Sequence, residues 1–431
     1  MTSGRRSPYS SGTGKPAMRS WPTGVVQWAS ATVVVLLAVG LIALLVAATG
    51  IVNVSASAPH GLFIKDFLGF AKNRYVHHQS AQSPEPPPLQ ELSLIERGAS
   101  HYANVCAACH AGPGVEQPAY VNAMKPKPPH MTQAVDKWNN KELFLIVRHG
   151  FKYAGMPAWP EPVREDEVWA VVAFIKQLPE MAPERYQALI DRRPPAHRRQ
   201  AMQATMMPLA QGLTRAELRK TSPDGGSGLL DRCARCHGYN GLGSPTGAYP
   251  ALGLQEAEYL YESLRAIKQG ERQSGIMYAQ LVGVSDEEMR ALANYYAAQP
   301  APRPDRVSRG KDLMQRGRQL ALQGDDKVGA CATCHNPDGE NYLPIYPQLE
   351  GQHYDYMVYQ LQAWKSGERG YSLGGDVMGP LSHALEDADV KAVSAFYAAE
   401  YVEDRQRPTR SGAPQQGGSQ GQTSNPESGT N

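Results

Sequence analysis

The chain has 431 residues, with 43 Lys and Arg against 41 Asp and Glu, and a formal net charge of +2. At about 150 residues per domain, this length excludes a single small module and predicts about three domains. The near balance of charge excludes the strong basic field expected of a nucleic-acid-binding protein.

The first predicted element is a transmembrane helix over residues 25–52, which carry no charged side chain. That stretch is long enough to cross the ~30 Å hydrocarbon core of a bilayer. Residues 1–24 hold four basic and no acidic side chains, so the positive-inside rule predicts a cytoplasmic N-terminus. The remainder of the chain is then expected in the periplasm, anchored to a bacterial inner membrane by this one helix.

The alternative is a cleaved signal peptide with its cleavage site at Ala56-Ser57-Ala58. Two features oppose it: the apolar stretch exceeds the ~7–15 residues of a signal peptide's apolar region, and Pro59 follows the site directly. Residues 53–89 are expected to form a juxtamembrane segment and a stiff Pro-rich spacer. At the other end, residues 403–431 are rich in Gln, Gly and Ser, and they predict a disordered tail.

The six cysteines occur as three pairs, and a histidine follows the second cysteine of each pair directly. The three sets are Cys106, Cys109 and His110; Cys233, Cys236 and His237; and Cys331, Cys334 and His335. Cys-x-x-Cys-His is the signature of covalent c-type haem attachment, in which both thiols bond to the haem and the histidine binds its iron. The sequence therefore predicts three covalently bound haem c groups.

Zinc binding and redox dithiol chemistry are the alternatives for these cysteines. A structural zinc ion needs four ligands, usually from two pairs that close on one ion, but here neighbouring pairs are about 100 residues apart or more. A thioredoxin-like dithiol needs a βαβ context, which the surrounding sequence lacks. Neither alternative accounts for a histidine after every pair.

An internal repeat runs through the second half of the chain. Tyr249–Arg272 aligns without a gap on Tyr346–Arg369, with 11 of 24 positions identical. A second block that begins at Met277 aligns on one that begins at Met378. The duplication predicts two domains of the same design, each with its own haem.

The repeat also selects the second axial ligands. Met277 lies 40 residues after His237, and Met378 lies 43 residues after His335. In the first domain, Met156 lies 46 residues after His110 within a Gly-Met-Pro-Ala-Trp segment. Methionine is an established partner of histidine on haem iron. Three other candidates have no equivalent in the repeat, namely Met289, Met357 and His353. Three histidines remain open as rival ligands, namely His130, His149 and His383.

Helices are expected on both sides of each site. Closing amphipathic helices are predicted over residues 166–178 and 387–397 and after a capping box at Ser285-Asp286-Glu287-Glu288. Upstream of each haem motif, a helical stretch carries a small residue, Gly98, Gly228 or Gly317. Small residues allow the first and last helices of one domain to cross closely.

This arrangement, repeated over residues 90–182, 222–300 and 308–402, resembles class I cytochrome c domains. The last two domains, joined by a linker at 301–307, resemble the two-haem cytochromes of the c4 type. The first, followed by a longer basic linker at 183–221, resembles single-haem modules. The resemblance implies an all-α fold after the transmembrane helix. It also implies that the carbonyls of Pro250 and Pro347 accept hydrogen bonds from His237 and His335.

In the first domain, Pro126, Pro128 and Pro129 all remain candidates for the same role toward His110. Histidine and methionine together fill both axial positions of an iron, which leaves no open position for a substrate. The expected protein is therefore an electron carrier rather than an enzyme. It would pass electrons one at a time from a quinol-oxidising complex or a periplasmic donor to a terminal oxidase or a similar acceptor.

Two alternatives stay open. The chain could be the cytochrome subunit of a membrane-bound dehydrogenase that oxidises alcohols, aldehydes or sugar acids, since such subunits also carry three haem motifs. It could also be a multihaem peroxidase or reductase, which would require one haem with an open or displaceable ligand.

Overall fold

A computed structural model describes residues 23–52, 62–152, 154–191, 228–253, 255–300, 309–336, 342–369 and 375–400. The chain divides into two compact units, residues 1–65 with 123–125 and residues 66–122 with 126–431. Within the described ranges, the regular elements are helices, accompanied by two isolated β-bridges. The expected all-α fold is therefore confirmed for this part of the chain.

Eighteen α-helices are described, together with 3₁₀ turns at Ser80–Gln82, Val135–Lys137 and Leu178–Glu180 and a π-turn at Tyr102–Cys106. In chain order the α-helices are α1 Thr23–Ala48, α2 Leu62–Gln79, α3 Leu92–His101, α4 Ala107–His110, α5 Ala119–Ala123, α6 Met131–Ala134, α7 Asn140–His149, α8 Glu165–Ile175, α9 Pro183–Ile190, α10 Leu229–His237, α11 Ala257–Lys268, α12 Gly275–Leu281, α13 Asp286–Ala297, α14 Lys311–Leu322, α15 Ala332–His335, α16 Tyr354–Lys365, α17 Gly375–Ala384 and α18 Asp387–Ala399.

Helix α1 is the one described helix that is long and apolar enough to cross a membrane. None of the side chains of its apolar part, Gln27–Ala48, is buried. The helix ends at Ala48 rather than continuing to residue 52, and Gly50 in the following turn has a φ of 72°. The basic flank over residues 1–22 lies outside the described residues.

The first domain is built on a close crossing of α3 and α8. A Cβ atom on Gly98 would lie 2.0 Å from the carbonyl oxygen of Ala170, so only glycine fits there. The buried apolar core surrounds this crossing and includes Tyr102 and Phe174. The expected role of the small residue is therefore confirmed in this domain.

The third domain repeats this construction with α14 and α18. A Cβ atom on Gly317 would lie 2.1 Å from the carbonyl oxygen of Ala392. The second domain differs, because α10 begins only at Leu229 and Gly228 caps its N-terminus instead of lying at a helix crossing. Its core is built mainly from α11 and α13, and α13 begins at the predicted capping box of Ser285 and Glu288.

Two segments expected to be free connections are instead packed. Leu89, at the end of the Pro-rich segment, joins the core of the first domain, and Ser83 Oγ donates a 3.3 Å hydrogen bond to the carbonyl of Lys141. The expected linker at 183–221 begins with α9, whose Tyr186 is 1% exposed and stacks near Phe174. Apolar side chains in these segments are buried against the first domain. The composition of the segments did not indicate this packing. Residues 192–221, 301–307 and 403–431 lie outside the described residues.

Candidate haem sites

Each Cys-x-x-Cys-His motif lies on a helical turn. In the first domain the motif spans the π-turn and α4, and in the second it forms the C-terminal end of α10. In the third domain, Cys331 is the N-cap of α15, and the other motif residues form that helix. Residues three apart on a helix lie on the same side. Each pair of thiols therefore points the same way, with the imidazole of the next residue beside them.

The three motif histidines share one hydrogen-bond pattern. Nδ1 of His335 lies 2.9 Å from the carbonyl oxygen of Pro347, and Nδ1 of His237 lies 3.3 Å from that of Pro250. In the first domain, Nδ1 of His110 lies 2.9 Å from the carbonyl of Pro129. Because a carbonyl can only accept, Nδ1 must be the donor, which leaves Nε2 as the free lone pair for a metal. The expectation for Pro250 and Pro347 is confirmed, and Pro129 fills the open place in the first domain.

Burial keeps these groups neutral. It lowers the pKa of His237 to about 4 and also lowers the pKa of His110 and His335, which retain an unprotonated ring nitrogen at neutral pH. Burial raises the pKa of the Cys106 and Cys233 thiols to about 12. Among the described residues, His, Cys, Asp and Glu side chains form no group of three or more suited to a metal ion.

A single cavity of about 510 Å³ joins the second and third motifs. Both cysteine pairs, both motif histidines and both expected methionines line it, namely Cys233, Cys236, His237, Met277, Cys331, Cys334, His335 and Met378. The structure thus places both motif histidines and both methionines that the repeat selects on the wall of one cavity. It also places the two sites in one continuous space between the domains.

The lining of this cavity is suited to a large, mostly apolar group with polar edges. Several buried lining atoms lack a hydrogen-bond partner within the described part of the protein: Tyr296 Oη, Trp364 Nε1, Ser382 Oγ, Ser394 Oγ and Tyr397 Oη. Buried polar atoms rarely lack a hydrogen-bond partner unless a bound group supplies one. An apolar cavity with unsatisfied polar atoms fits haem better than it fits a dry core.

Two buried cations at matching positions of the repeat also line the cavity. Arg272 donates to Ser263 Oγ at 3.0 Å and to Tyr356 Oη at 3.4 Å, and Arg369 stacks 3.6 Å from the ring of Trp364. Burial and the nearby charge of Arg272 lower the pKa of Arg369 to about 10. Within the described residues neither guanidinium forms an ion pair with a carboxylate, and a buried cation without such a partner is costly. The two propionate groups that each haem carries would provide the missing negative charge.

The chain is similar in sequence to known c-type cytochromes. The family described as cytochrome c matches residues 224–297 and 308–398, and the family described as cytochrome c oxidase, cbb3-type, subunit III matches residues 93–175. A thiosulfate dehydrogenase electron acceptor from Stutzerimonas stutzeri is 34% identical over 168 residues, which are 38% of this chain and 77% of that protein. Cytochrome c4 from Azotobacter vinelandii is 32% identical over 185 residues, 40% of this chain and 85% of that protein.

This chain belongs to the cytochrome c family. The solved structure of cytochrome c4 from Pseudomonas stutzeri is 27% identical, covers 40% of this chain and 95% of its own, and has a TM-score of 0.35. This cytochrome carries three covalently bound haem c groups, at the three cysteine pairs, and it is an electron carrier. When bound, each haem supplies an iron that gains or loses one electron.

In the first domain of the cytochrome, Met156 lies in a tight turn after α7. The amide of Phe151 donates to the carbonyl of Met156 at 3.1 Å, and a Cβ atom on Gly150 would lie 2.3 Å from that same oxygen. Gly150 has a φ of 57°, which favours glycine. The turn therefore holds the backbone of Met156 in one position.

Two of the three rival histidines, His130 and His383, have other partners, and so does His353, which the repeat had set aside. Both ring nitrogens of His130 are engaged, Nε2 with the carbonyl of Val115 at 3.1 Å and Nδ1 with Thr132 Oγ1 at 2.8 Å. His383 bonds to the carbonyl of Gly379 within its own helix, and the cavity is lined by Met378 instead. Nε2 of His353 bonds to the carbonyl of Leu242 at 2.7 Å and so joins the second and third domains.

Sequence reasoning missed the contacts that join the three domains. Gln255 and Gln352 each bond to the backbone of the opposite domain, Gln255 at Gln348 and Gln352 at Ala251, with distances of 2.9–3.1 Å. These two glutamines are identical at aligned positions of the repeat, so the alignment did contain a signal for them. Identity at a polar position of a duplicated domain can indicate a contact between the two copies.

The contacts of the first domain carried no such signal. The Tyr249 phenol donates to the carbonyl of Glu96, and the carboxylate of Glu96 accepts from Ser244 Oγ and Thr246 Oγ1, both at 2.7 Å. Arg235, inside the second haem motif, donates to Asn104, two residues before Cys106. The first and second haem attachment segments therefore lie against each other.

Proposed function

We propose that this protein is a membrane-anchored tri-haem cytochrome c that passes electrons one at a time along its three domains. The observation that carries the proposal is the recurrence of one arrangement three times: two thiols, and an imidazole whose Nδ1 is held by a proline carbonyl. We assign the axial ligand pairs as His110 with Met156, His237 with Met277 and His335 with Met378. With both axial positions occupied, each haem transfers electrons and does not bind a substrate.

Contacts between the domains support electron transfer within the protein. The second and third sites share one cavity, and Arg235 of the second attachment segment bonds to Asn104 beside the first. The first domain also contacts the third, because Tyr359 bonds to Arg164 and Asp166. We therefore propose that electrons pass between the haems of packed neighbouring domains.

The N-terminal helix supports anchorage in a bacterial inner membrane with the haem domains in the periplasm. Helix α1 combines sufficient length, a surface with no buried residue in its apolar part and a basic preceding flank. Helix α2 follows after a short connection, and its side chains Ile64, Leu68 and Phe70 are 51%, 40% and 65% exposed. Carbonate extraction of membranes tests the anchor: the protein should stay in the pellet, whereas a processed protein would be released and would lack α1 by mass.

For the acceptor we propose a terminal oxidase, supported by the match of residues 93–175 to a subunit of a cbb3-type oxidase. A specific observation favours a second candidate, in which the protein accepts electrons from a dehydrogenase. Two relatives are named as electron acceptors of thiosulfate dehydrogenase, at 34% identity each. On that basis a sulfur-compound dehydrogenase is a better supported donor than one for alcohols or sugar acids.

Haem content and ligand variants test the core of the proposal. The purified chain should hold three covalent haems by pyridine haemochrome, and the near-infrared methionine–iron band should have three equal contributions. Met156→Leu, Met277→Leu and Met378→Leu should each remove one third of that band. Fewer than three haems, or carbon monoxide binding to the reduced wild-type protein, would contradict the proposal and favour a peroxidase-like function.

Stopped-flow kinetics with purified partners test the proposed donor and the proposed acceptor independently. Reduction by a thiosulfate dehydrogenase plus thiosulfate, followed by oxidation by a haem–copper oxidase, would support both ends of the relay. Reduction without oxidation would instead support the dehydrogenase-acceptor role alone.

A further inference from the structure

Glu167 is a buried carboxylate of the first domain whose hydrogen-bond donors belong to the second. It lies in the first turn of α8, and its side chain is 3% exposed. Oε1 accepts from Ser274 Oγ at 2.6 Å, and Oε2 accepts from the amides of Gly275 at 2.6 Å and Ile276 at 3.3 Å. One carboxylate thus binds three consecutive residues of another haem domain.

Those three residues lead directly into Met277. Ser274 caps the N-terminus of α12, and its Oγ accepts from the amide of Met277 at 3.2 Å. The same hydroxyl therefore donates to Glu167 and accepts from the proposed axial ligand. A continuous chain of hydrogen bonds connects the Glu167 carboxylate with the Met277 backbone.

Close packing fixes this contact from the other side. A Cβ atom on Gly275 would lie 2.6 Å from Nε1 of Trp159, so only glycine lets the segment approach the first domain. Arg164 forms a 3.1 Å ion pair with Glu167 and also donates to the carbonyl of Gln273. Residues 273–276 are consequently held by two charged side chains and one aromatic ring of the first domain.

We propose that Glu167 is a positioning residue for Met277, through which docking of the first domain orders the axial ligand of the second haem. This inference rests on the proposed ligation of the second haem by Met277. Hydrogen bonds to a charged acceptor are among the stronger ones in proteins, and they are stronger where water is excluded. Without the carboxylate, the start of α12 would lose three acceptor contacts at a buried place, and Met277 would leave the iron more readily.

The test compares Glu167→Gln in the full-length, haem-loaded chain with the matched control Glu165→Gln. Glu165 lies in the same first turn, but it pairs with Arg148 of its own domain. The readout is the near-infrared methionine–iron band during a urea titration below the unfolding transition. We expect Glu167→Gln to raise the ratio of dissociated to bound methionine roughly tenfold for one third of the band, and Glu165→Gln to leave it unchanged.

Met277→Leu separates the two proposals. If it leaves the band intact, the ligand assignment is wrong. If it removes one third of the band while Glu167→Gln behaves like Glu165→Gln, the ligand assignment stands and the role of Glu167 is refuted. Should Glu167→Gln not assemble, Ser274→Ala decides, because it breaks the same hydrogen-bond chain but keeps the carboxylate with two of its donors. An unchanged band in Ser274→Ala would then refute the inference.

Discussion

Replacing Gly98 by alanine should unfold the first domain before the other two. The added Cβ atom would lie 2.0 Å from the carbonyl oxygen of Ala170 and 2.9 Å from Cβ of Phe174. Ordinary contacts begin near 3.4 Å, so the backbones of α3 and α8 must separate by about 1.4 Å, the difference between 3.4 and 2.0 Å. Neither neighbour can rotate away, because the nearest atom belongs to the backbone.

The expected cost is about 3 kcal/mol, at the upper end of the range for overpacking. The higher helix propensity of alanine returns about 1 kcal/mol of it. The net loss of about 2 kcal/mol corresponds to a decrease in melting temperature of roughly 10 °C for a domain of this size.

Hydrogen–deuterium exchange measured by mass spectrometry reports each domain separately. Peptides from α3 and α8 should exchange faster in Gly98→Ala, whereas peptides from α14 and α18 should not change. Gly317→Ala should show the reverse pattern, because its Cβ would meet Ala392 in the same way. Gly69→Ala is the matched control: Gly69 lies within α2, and among the described residues no atom of another segment lies within 4 Å of where its Cβ would be, so the change should be neutral or slightly stabilising. Wild-type exchange in both crossing variants would refute the reasoning.

Two further predictions concern backbone strain and pH. Ala111, directly after His110, has a φ of 51°, so Ala111→Gly should raise the free energy of unfolding of the first domain by about 1 kcal/mol in denaturant titrations; a lower value would show that the strain is absent. Burial and the charge of Asp166 raise the pKa of Glu368 to about 7 from an ordinary 4.5. The pKa of Glu368 is higher in the folded than in the unfolded protein, so its protonated form contributes to the free energy of unfolding. That contribution is fully present below pH 4.5 and is lost as pH rises through 7, by on the order of 2 kcal/mol. Glu368→Gln should therefore reduce the change of the denaturant midpoint with pH between pH 5 and pH 8. The same pH dependence as in the wild type would count against this role of Glu368.

The amino-acid sequence by itself determined the chemistry of each haem site. Covalent attachment needs two thiols and an imidazole within five consecutive residues, so the three motifs were visible without any fold. The internal repeat selected Met277 and Met378 as the proposed axial ligands, because duplicated domains keep equivalent residues at equivalent positions. The helix crossing at Gly98 was also foreseeable, since close approach of two helices requires a small side chain.

The tertiary structure alone decided how the sites are supported and joined. Three prolines near His110 were equivalent in the sequence, and only the folded loop brought the carbonyl of Pro129 to Nδ1. The contact between Glu167 and Ser274 spans 107 residues, and neither residue belongs to a repeated pattern. Such contacts depend on which surfaces the docked domains bury together, and burial is a property of three-dimensional packing that local spacing does not encode.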